Sequence, residues 1–550
     1  MRNQKKEFFI HLTRIFAAKL NHYMKINCHY LLIAFTLFAL SGCSSTQSSD
    51  WDIPTSTKVE INIESVSDQK PNVIIIMADD LGKAELSSFG ATQISTPNID
   101  KIGANGVVFN DAYVTSPVCA PSRAAILTGK YQQRYGFETQ PMEFYPNSKI
   151  KHSLAKKAKR LGDWTVVTEP IYPRKEMLEH QGIPVSETSL AEIYQKAGYK
   201  TALIGKWHLG FGPEHLPQNR GFDYHYGFLG AFSRYTEEEK TPGYHTFIQD
   251  DFSSKYQWKV GRTKNAKILE NGKEIIEKEY LTFAFANKAK MFISENKDDN
   301  FFMMLNFNAP HVPFQAPDEY YNQFDHIKDE NQRVYLAMIK ALDDGIGQVM
   351  NHLEKLNILE NTIVYFISDN GGASYTKATK NEPLKGGKLT LFEGGINVPF
   401  MMQWKGTIPA GTKYNAAVSA LDIFPTSLNA SQIKNTNQTP LDGVDLIPFI
   451  TKKKEGIPHE TLYWRCDHVR AIRHKNWKMV LSTRDNWLHL YNLDSDKGET
   501  IDLSELNNLE RKNLTEFFEA WNKDLPTKPL WPRIMDRKFI IGEKVYYFPA

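Results

Sequence analysis

Two unbroken apolar runs each end on carboxylates, and this pairing restricts the fold more than any other feature of the sequence. In PNVIIIMADDLG, Val73 to Met77 lead into Asp79, Asp80 and Gly82; in NTIVYFISDNGG, Ile363 to Ile367 lead into Asp369, Asn370, Gly371 and Gly372. A run that is apolar at every position reads as a strand covered on both faces. Two such strands with oxygen-rich tips suit the ligand-binding edge of an open parallel sheet. Amphipathic segments lie between them, such as SETSLAEIYQKAGY, with a capping-box start at Ser186 or Thr188 and a glycine stop at Gly198. Alternating strands and helices predict an α/β sandwich with a large, mostly parallel central sheet flanked by helices. From about Asp442 the pattern turns to short alternating runs, ETLYWRCDHV, RAIRHKNWKMVLS and WLHLYNLD, then an amphipathic helix around Leu506 to Leu525. This predicts a smaller C-terminal α+β domain with an antiparallel sheet.

The strand-tip residues Asp79, Asp80, Asp369 and Asn370 are hard oxygen donors, and their carboxylates would repel one another without a cation between them. A mixed carboxylate and amide set suits calcium. Cys119 opens the stretch CAPSRAAILTG, which reads as a helix with Pro121 in its first turn and Gly129 at its end. The cysteine therefore sits at a helix N-terminus, where free amides favour an anion.

The first 42 residues read as a signal segment. Lys25 precedes an apolar run from Tyr30 to Leu40, too short to span a bilayer, and Met24 is a second possible start. Leu40-Ser41-Gly42-Cys43 is similar to a bacterial lipobox, which would leave Cys43 as a lipidated N-terminus and residues 43 to 69 as a polar tether. The expectation is an exported bacterial lipoprotein held at the cell envelope, in the periplasm or at the outer membrane. Removing residues 1 to 42 takes away six basic residues and one acidic residue, moving the formal charge from +3 to −2. That balance gives no case for nucleic acid. Of Cys28, Cys43, Cys119 and Cys466, only the last two remain uncommitted. A disulfide between them, a metal thiolate, a thiol nucleophile and a modified side chain are all open for Cys119. Between 141 and 183, Lys149, Lys151, Lys156, Lys157, Lys159 and Arg160 form either a solvated face or a basic rim for a polyanionic substrate.

Cys119-Ala120-Pro121-Ser122-Arg123 resembles the C-x-P-S-R maturation signature of the formylglycine-dependent sulfatases of the alkaline phosphatase superfamily. IGKWHLG, with Lys206 and His208, NAPHVPFQAP, with His311, and LKGGKLTLFEGGINVP, with Lys388, resemble further motifs of that family in its order. The likeness covers roughly residues 70 to 430 strongly and the rest more loosely; Asn397 departs from it where many relatives carry arginine. It implies an alkaline-phosphatase-like fold with a catalytic domain over 70–440 and a C-terminal subdomain over 441–550. It also implies conversion of Cys119 to formylglycine by a formylglycine-generating or radical maturation enzyme, and one calcium ion held by Asp79, Asp80, position 119, Asp369 and Asn370. The implied activity is hydrolysis of sulfate monoesters, with Arg123, Lys206 and Lys388 handling charge. His311 would act as general acid, and His208 would take the proton that lets sulfate leave. An exported enzyme points to sulfated polysaccharides or oligosaccharides as substrate, with His225, Arg234, Arg465 and His468 as candidates for reading the sugar, beside Tyr224, Trp464 and Arg470. The alternative is a phosphodiesterase or phosphonate monoester hydrolase using the same modified residue. A rival of another kind is a glycan-binding lipoprotein with Cys119 unmodified.

Overall fold

The computed structural model describes residues 56–550 except positions 62, 66–69, 143–148, 158–161, 168–176, 178, 251 and 436–439. The signal segment, Cys43 and most of the tether lie outside the described residues, as do Lys159 and Arg160. Among the described residues no helix is long and apolar enough to cross a membrane. The principal elements in chain order are β1 (Asn72–Ala78), β2 (Val107–Phe109), α1 (Cys119–Thr128), β3 (Trp164–Val166), β4 (Lys200–Lys206), β5 (Tyr224–Phe228), α2 (Leu281–Glu295), β6 (Phe301–Asn306) and α3 (Glu330–Lys355). They continue with β7 (Thr362–Ser368), β8 (Phe400–Gln403), β9 (Thr412–Tyr414), β10 (Thr461–Cys466), β11 (Val469–His474), β12 (Trp477–Ser482), β13 (Trp487–Asn492), α4 (Asn508–Asn522), β14 (Met535–Ile541) and β15 (Lys544–Pro549).

The central sheet has ten strands, running from the short strands Lys273–Glu274 and Leu269–Glu270 through β5, β4, β6, β1, β7, β8 and β2 to β9. From β5 to β7 every pairing is parallel, and β8 turns antiparallel to β7. β1 is buried along its whole length. Val73, Ile75 and Met77 enter one layer with Ile126 and Leu127 of α1, while Ile74 and Ile76 enter the other with residues of α2 and α3. The two-sided cover explains the unbroken apolar runs, since each fully buried aliphatic side chain contributes about 1.5–3 kcal/mol.

The capping box lies at Ser189, one residue beyond Thr188 and three beyond Ser186, the two positions expected from sequence. Ser189 Oγ accepts from Glu192 N at 3.0 Å, and Glu192 Oε2 accepts from Ser189 N at 2.8 Å. The helix it starts runs Leu190–Lys196, short of Gly198. β10 to β13 form a four-stranded antiparallel meander, the predicted C-terminal sheet, and α4 packs Leu514 and Phe518 against it. Unforeseen is a three-stranded sheet, in which β14 and β15 pair with each other and β14 also pairs with β3.

Candidate active site

β1 and β7 are parallel neighbours in register, with Ile367 opposite Met77 and Ser368 opposite Ala78. Asp79-Asp80 and Asp369-Asn370 therefore leave the sheet side by side. Asp369 N donates to Ala78 O at 3.1 Å, which ties the two tips together, and Asp79 N donates to Ala309 O, beyond β6, at 3.1 Å. Asp80 has φ of 64°, a left-handed turn that aspartate tolerates better than most residues, and its N–H donates to Asp369 Oδ1 at 3.2 Å.

Cys119 is the first residue of α1 and is 1% exposed. Its Sγ lies 3.3 Å from Asp79 Oδ1 and 3.7 Å from Asp80 Oδ1, and Lys388 Nζ approaches it to 3.2 Å. Lys206, the last residue of β4, reaches Asp79 Oδ2 at 2.7 Å. Lys388 Nζ is 2.7 Å from Asp80 Oδ1. One turn into α1, Arg123 Nε donates to Asp369 Oδ2 at 2.8 Å, and its Nη2 stands 3.7 Å from Asp79 Oδ1. His208 follows β4 with φ of 60°, and its N–H donates to Leu229 O at 3.1 Å. Both its ring nitrogens are buried without partners. His311 Nδ1 contacts Val312 O, leaving Nε2 3.6 Å from Asp80 Oδ2. The fold thus brings together ten residues chosen from sequence: Asp79, Asp80, Cys119, Arg123, Lys206, His208, His311, Asp369, Asn370 and Lys388.

Burial and this charge pattern set the proton affinities. The Cys119 thiol is pushed well up, first by burial and then by Asp369, against the pull of Lys206 and Lys388. A thiol so held is neutral at ordinary pH and a poor nucleophile. Cys119 and Cys466 are both free, so the disulfide their count left open does not form. Burial lowers His208 far below the usual imidazole range, with Lys206 and Arg123 adding to it. Burial would raise Asp80, but Lys388, His311 and Lys206 hold it well below the usual carboxylate range. Donor atoms of Asp79, Asp80, Cys119 and His311 lie within 4.8 Å of one another. Asn370 Nδ2 donates to Asp80 Oδ1 at 2.8 Å, and Asn370 Oδ1 is buried with no donor. Converging hard oxygens and an unsatisfied amide carbonyl fit a calcium ion.

A cavity of about 260 Å³ opens on this cluster, with His208, His311 and Lys388 in its lining and Trp164, Tyr375 and Met535 among its apolar walls. The walls were missed from sequence, because Trp164 and Met535 arrive on β3 and β14, whose pairing carries no local signal. The candidate sugar-reading residues fall elsewhere. His225 is buried within β5 with both ring nitrogens unpartnered. Arg234 Nη2 donates to Glu237 O at 2.6 Å. His468 Nδ1 is 3.0 Å from Ser482 Oγ. Tyr224 OH donates to Glu270 Oε1 at 2.6 Å, and Trp464 Nε1 to Val114 O at 2.7 Å. None of these five lines the cavity beside Cys119. Arg465 and Arg470 line a second cavity next to it. In the basic stretch, Ala155 of the helix Lys149–Lys157 lines the first cavity. Asn397, at the position of departure, donates to Glu393 Oε2 at 2.9 Å and accepts from Lys83 Nζ at 2.8 Å, a packing role outside the cluster.

A family model described as Sulfatase matches residues 71–433, and one described as N-sulphoglucosamine sulphohydrolase, C-terminal, matches residues 387–524. The chain is 29% identical over 504 residues to the uncharacterized sulfatase YdeN of Escherichia coli (strain K12), covering 81% of this chain and 77% of that protein. It is 30% identical over 424 residues to N-acetylgalactosamine-6-sulfatase of Rattus norvegicus, covering 76% and 72% respectively. The crystal structure of Ps i-CgsB in complex with k-i-k-neocarrahexaose is similar at a TM-score of 0.69 and 33% identity, covering 84% of this chain and 95% of that one.

Proposed function

The chain belongs to the sulfatase family, and we propose that it removes sulfate groups from sugars of extracellular sulfated polysaccharides or oligosaccharides, using formylglycine made from Cys119 and one calcium ion. As a sulfuric ester hydrolase it must bind an anionic ester, neutralise charge as the S–O bond breaks, and protonate the departing alcohol. The observation that carries the proposal is the position of Cys119: a neutral, buried thiol at a helix start, 3.2 Å from Lys388 Nζ and 3.3 Å from Asp79. Such a thiol is badly placed for its own chemistry and well placed for an oxygen nucleophile made from it.

Asp79 and Lys388, which flank position 119, would hold formylglycine there, and it would supply an oxygen nucleophile for sulfur. Asp79, Asp80, Asp369 and Asn370 would hold calcium, which supplies a Lewis acid that polarises the ester. Lys206 and Lys388 bind the non-bridging sulfate oxygens, and Arg123 fixes Asp369 and steadies position 119. These preorganised charges act where negative charge develops. His311, with Nδ1 engaged at Val312 O, keeps Nε2 for proton delivery to the leaving oxygen. Burial holds the imidazole down to about 3 with Lys388 and Lys206 opposing its protonation, and the negative charge of an incoming sulfate raises its proton affinity. His208, neutral and with both ring nitrogens unpartnered, accepts a proton at one of them.

Support for a glycan substrate comes from likeness to N-acetylgalactosamine-6-sulfatase and to a structure complexed with neocarrahexaose. The division into a catalytic domain to about 440 and a C-terminal subdomain, the export signal and lipidation at Cys43 belong to the same proposal, as does a dedicated maturation enzyme. The deciding experiment combines peptide mass spectrometry at position 119 with sulfate release from a panel of defined sulfated oligosaccharides, on protein produced with a maturation system. Formylglycine with sulfate release is expected; an intact thiol in fully active protein overturns the reading. Retention of wild-type protein, but not Cys43→Ser, in the membrane fraction checks the anchor.

A further inference from the structure

A second cavity, of about 450 Å³, adjoins the first; Gln140 and Ala550 line both. Val118, the neighbour of Cys119, also lines it. Arg465 on β10 and Arg470 on β11 stand directly opposite each other in the antiparallel register, and both line this cavity together with Lys523 and Arg533. Like charges facing each other across a strand pair destabilise the sheet unless an anion answers them. Carboxylates answer part of the charge. Glu138 takes Arg465 through Nη2 at 2.6 Å and Nε at 3.2 Å. Asp467 takes Arg533 Nε at 2.8 Å, Asp536 pairs with Arg533 Nη1, and Glu519 lies 3.1 Å from Arg470 Nη1. These pairs hold the guanidinium groups in place without using every donor, since Arg470 Nε is buried with no acceptor. Among the described residues, four cations line this space with Glu138 and Asp467, while Glu519 and Asp536, which pair with Arg470 and Arg533, stand outside the lining.

We propose that this cavity binds the sugar unit adjacent to the one being desulfated, and that it recognises an anionic group, sulfate or carboxylate, on that unit through Arg470 and Lys523, with Arg533 held in the wall by Asp467 and Asp536. Arg465 is a positioning residue here, committed to Glu138 and setting the wall opposite Arg470. The inference rests on the sulfatase reading of Cys119. A site of this kind makes the enzyme prefer a polyanionic oligomer to a lone sulfated sugar, with the apolar-walled cavity taking the reacting unit and the cationic one its neighbour.

The test uses full-length protein carrying Cys119→Ser, so that binding is measured without turnover. Calorimetric titration compares three disaccharides whose first unit carries one sulfate and whose second is neutral, sulfated or carboxylated. An anionic second unit is expected to tighten binding at least tenfold over the neutral one, and the active member of the pair identifies the group. Arg470→Gln and, separately, the exposed Lys523→Gln should each erase most of that gain, with circular dichroism confirming the fold. Binding of all three within twofold, or a gain that survives both substitutions, overturns the proposal. Turnover of a small aryl sulfate by wild-type protein shown by mass spectrometry to carry formylglycine at position 119 is measured alongside; its absence overturns the sulfatase reading instead, because that substrate has no second unit.

Discussion

Lys478 lies fully buried between Glu393 and Glu499, its Nζ 2.7 Å from one carboxylate and 2.9 Å from the other. Glu393 follows the loop that carries Lys388, and Lys478 belongs to β12, so this lysine fastens the C-terminal sheet to the end of that loop. Removing one member of a buried ionic group leaves uncompensated charge and costs on the order of 3–5 kcal/mol. Lys478→Met should lower the unfolding free energy by about that much in urea titrations, and adding Glu499→Gln should recover part of the loss. A change under about 1 kcal/mol would show that the triad holds nothing together.

The acid role of Nε2 predicts a split by leaving group. His311→Ala should reduce kcat/KM on sugar sulfates by roughly 10²–10⁴, because sugar alkoxides need a proton as they depart. Aryl sulfates, whose phenolates leave unaided, should lose far less. Equal losses on both substrates would remove His311 from that role.

Calcium is expected to stabilise the fold as well as serve the chemistry. Adding calcium to chelator-treated protein should raise Tm, since a ligand bound only by the native state stabilises it by mass action. Asp80→Ala should abolish that shift. A variant that still responds fully would place the ion elsewhere.

His225 predicts a pH dependence of stability. Burial alone takes its imidazole down to about 3 from an ordinary 6.5. Between those values the unfolded chain binds a proton that the folded chain refuses, so stability falls as pH drops from 6.5 towards 3. At pH 5 the cost is roughly 2 kcal/mol relative to pH 7. His225→Leu should flatten this part of the profile in denaturation curves at pH 7 and 5, whereas parallel profiles for the two proteins would show that His225 is charged in the fold.

The carboxylate tips, the cysteine helix and the three cationic side chains were legible because each sits in a local pattern: an apolar run, a proline-started helix, a glycine-rich loop. Parallel pairing of β1 with β7 then follows from both strands being covered on two faces. The capping box shifted to Ser189 because three hydroxyl residues within four positions offer the same local signal, and contact with Arg220 O decides among them. The cavity walls were hidden for a different reason. Trp164 sits in a three-residue strand, and only its partner Arg537, far along the chain, gives it a place. His225 and Arg234 are polar residues that look poised for a ligand, yet one is enclosed by its sheet and the other bonds the backbone three residues away.

The antiparallel pairing of β3 with β14 has a consequence in time. The wall bearing Met535 is synthesised long after Cys119 leaves the ribosome, and until it docks, the chamber above the cysteine stands open on that side. If position 119 is converted as proposed, the converting enzyme has its opportunity during this interval, because Cys119 in the finished protein is 1% exposed.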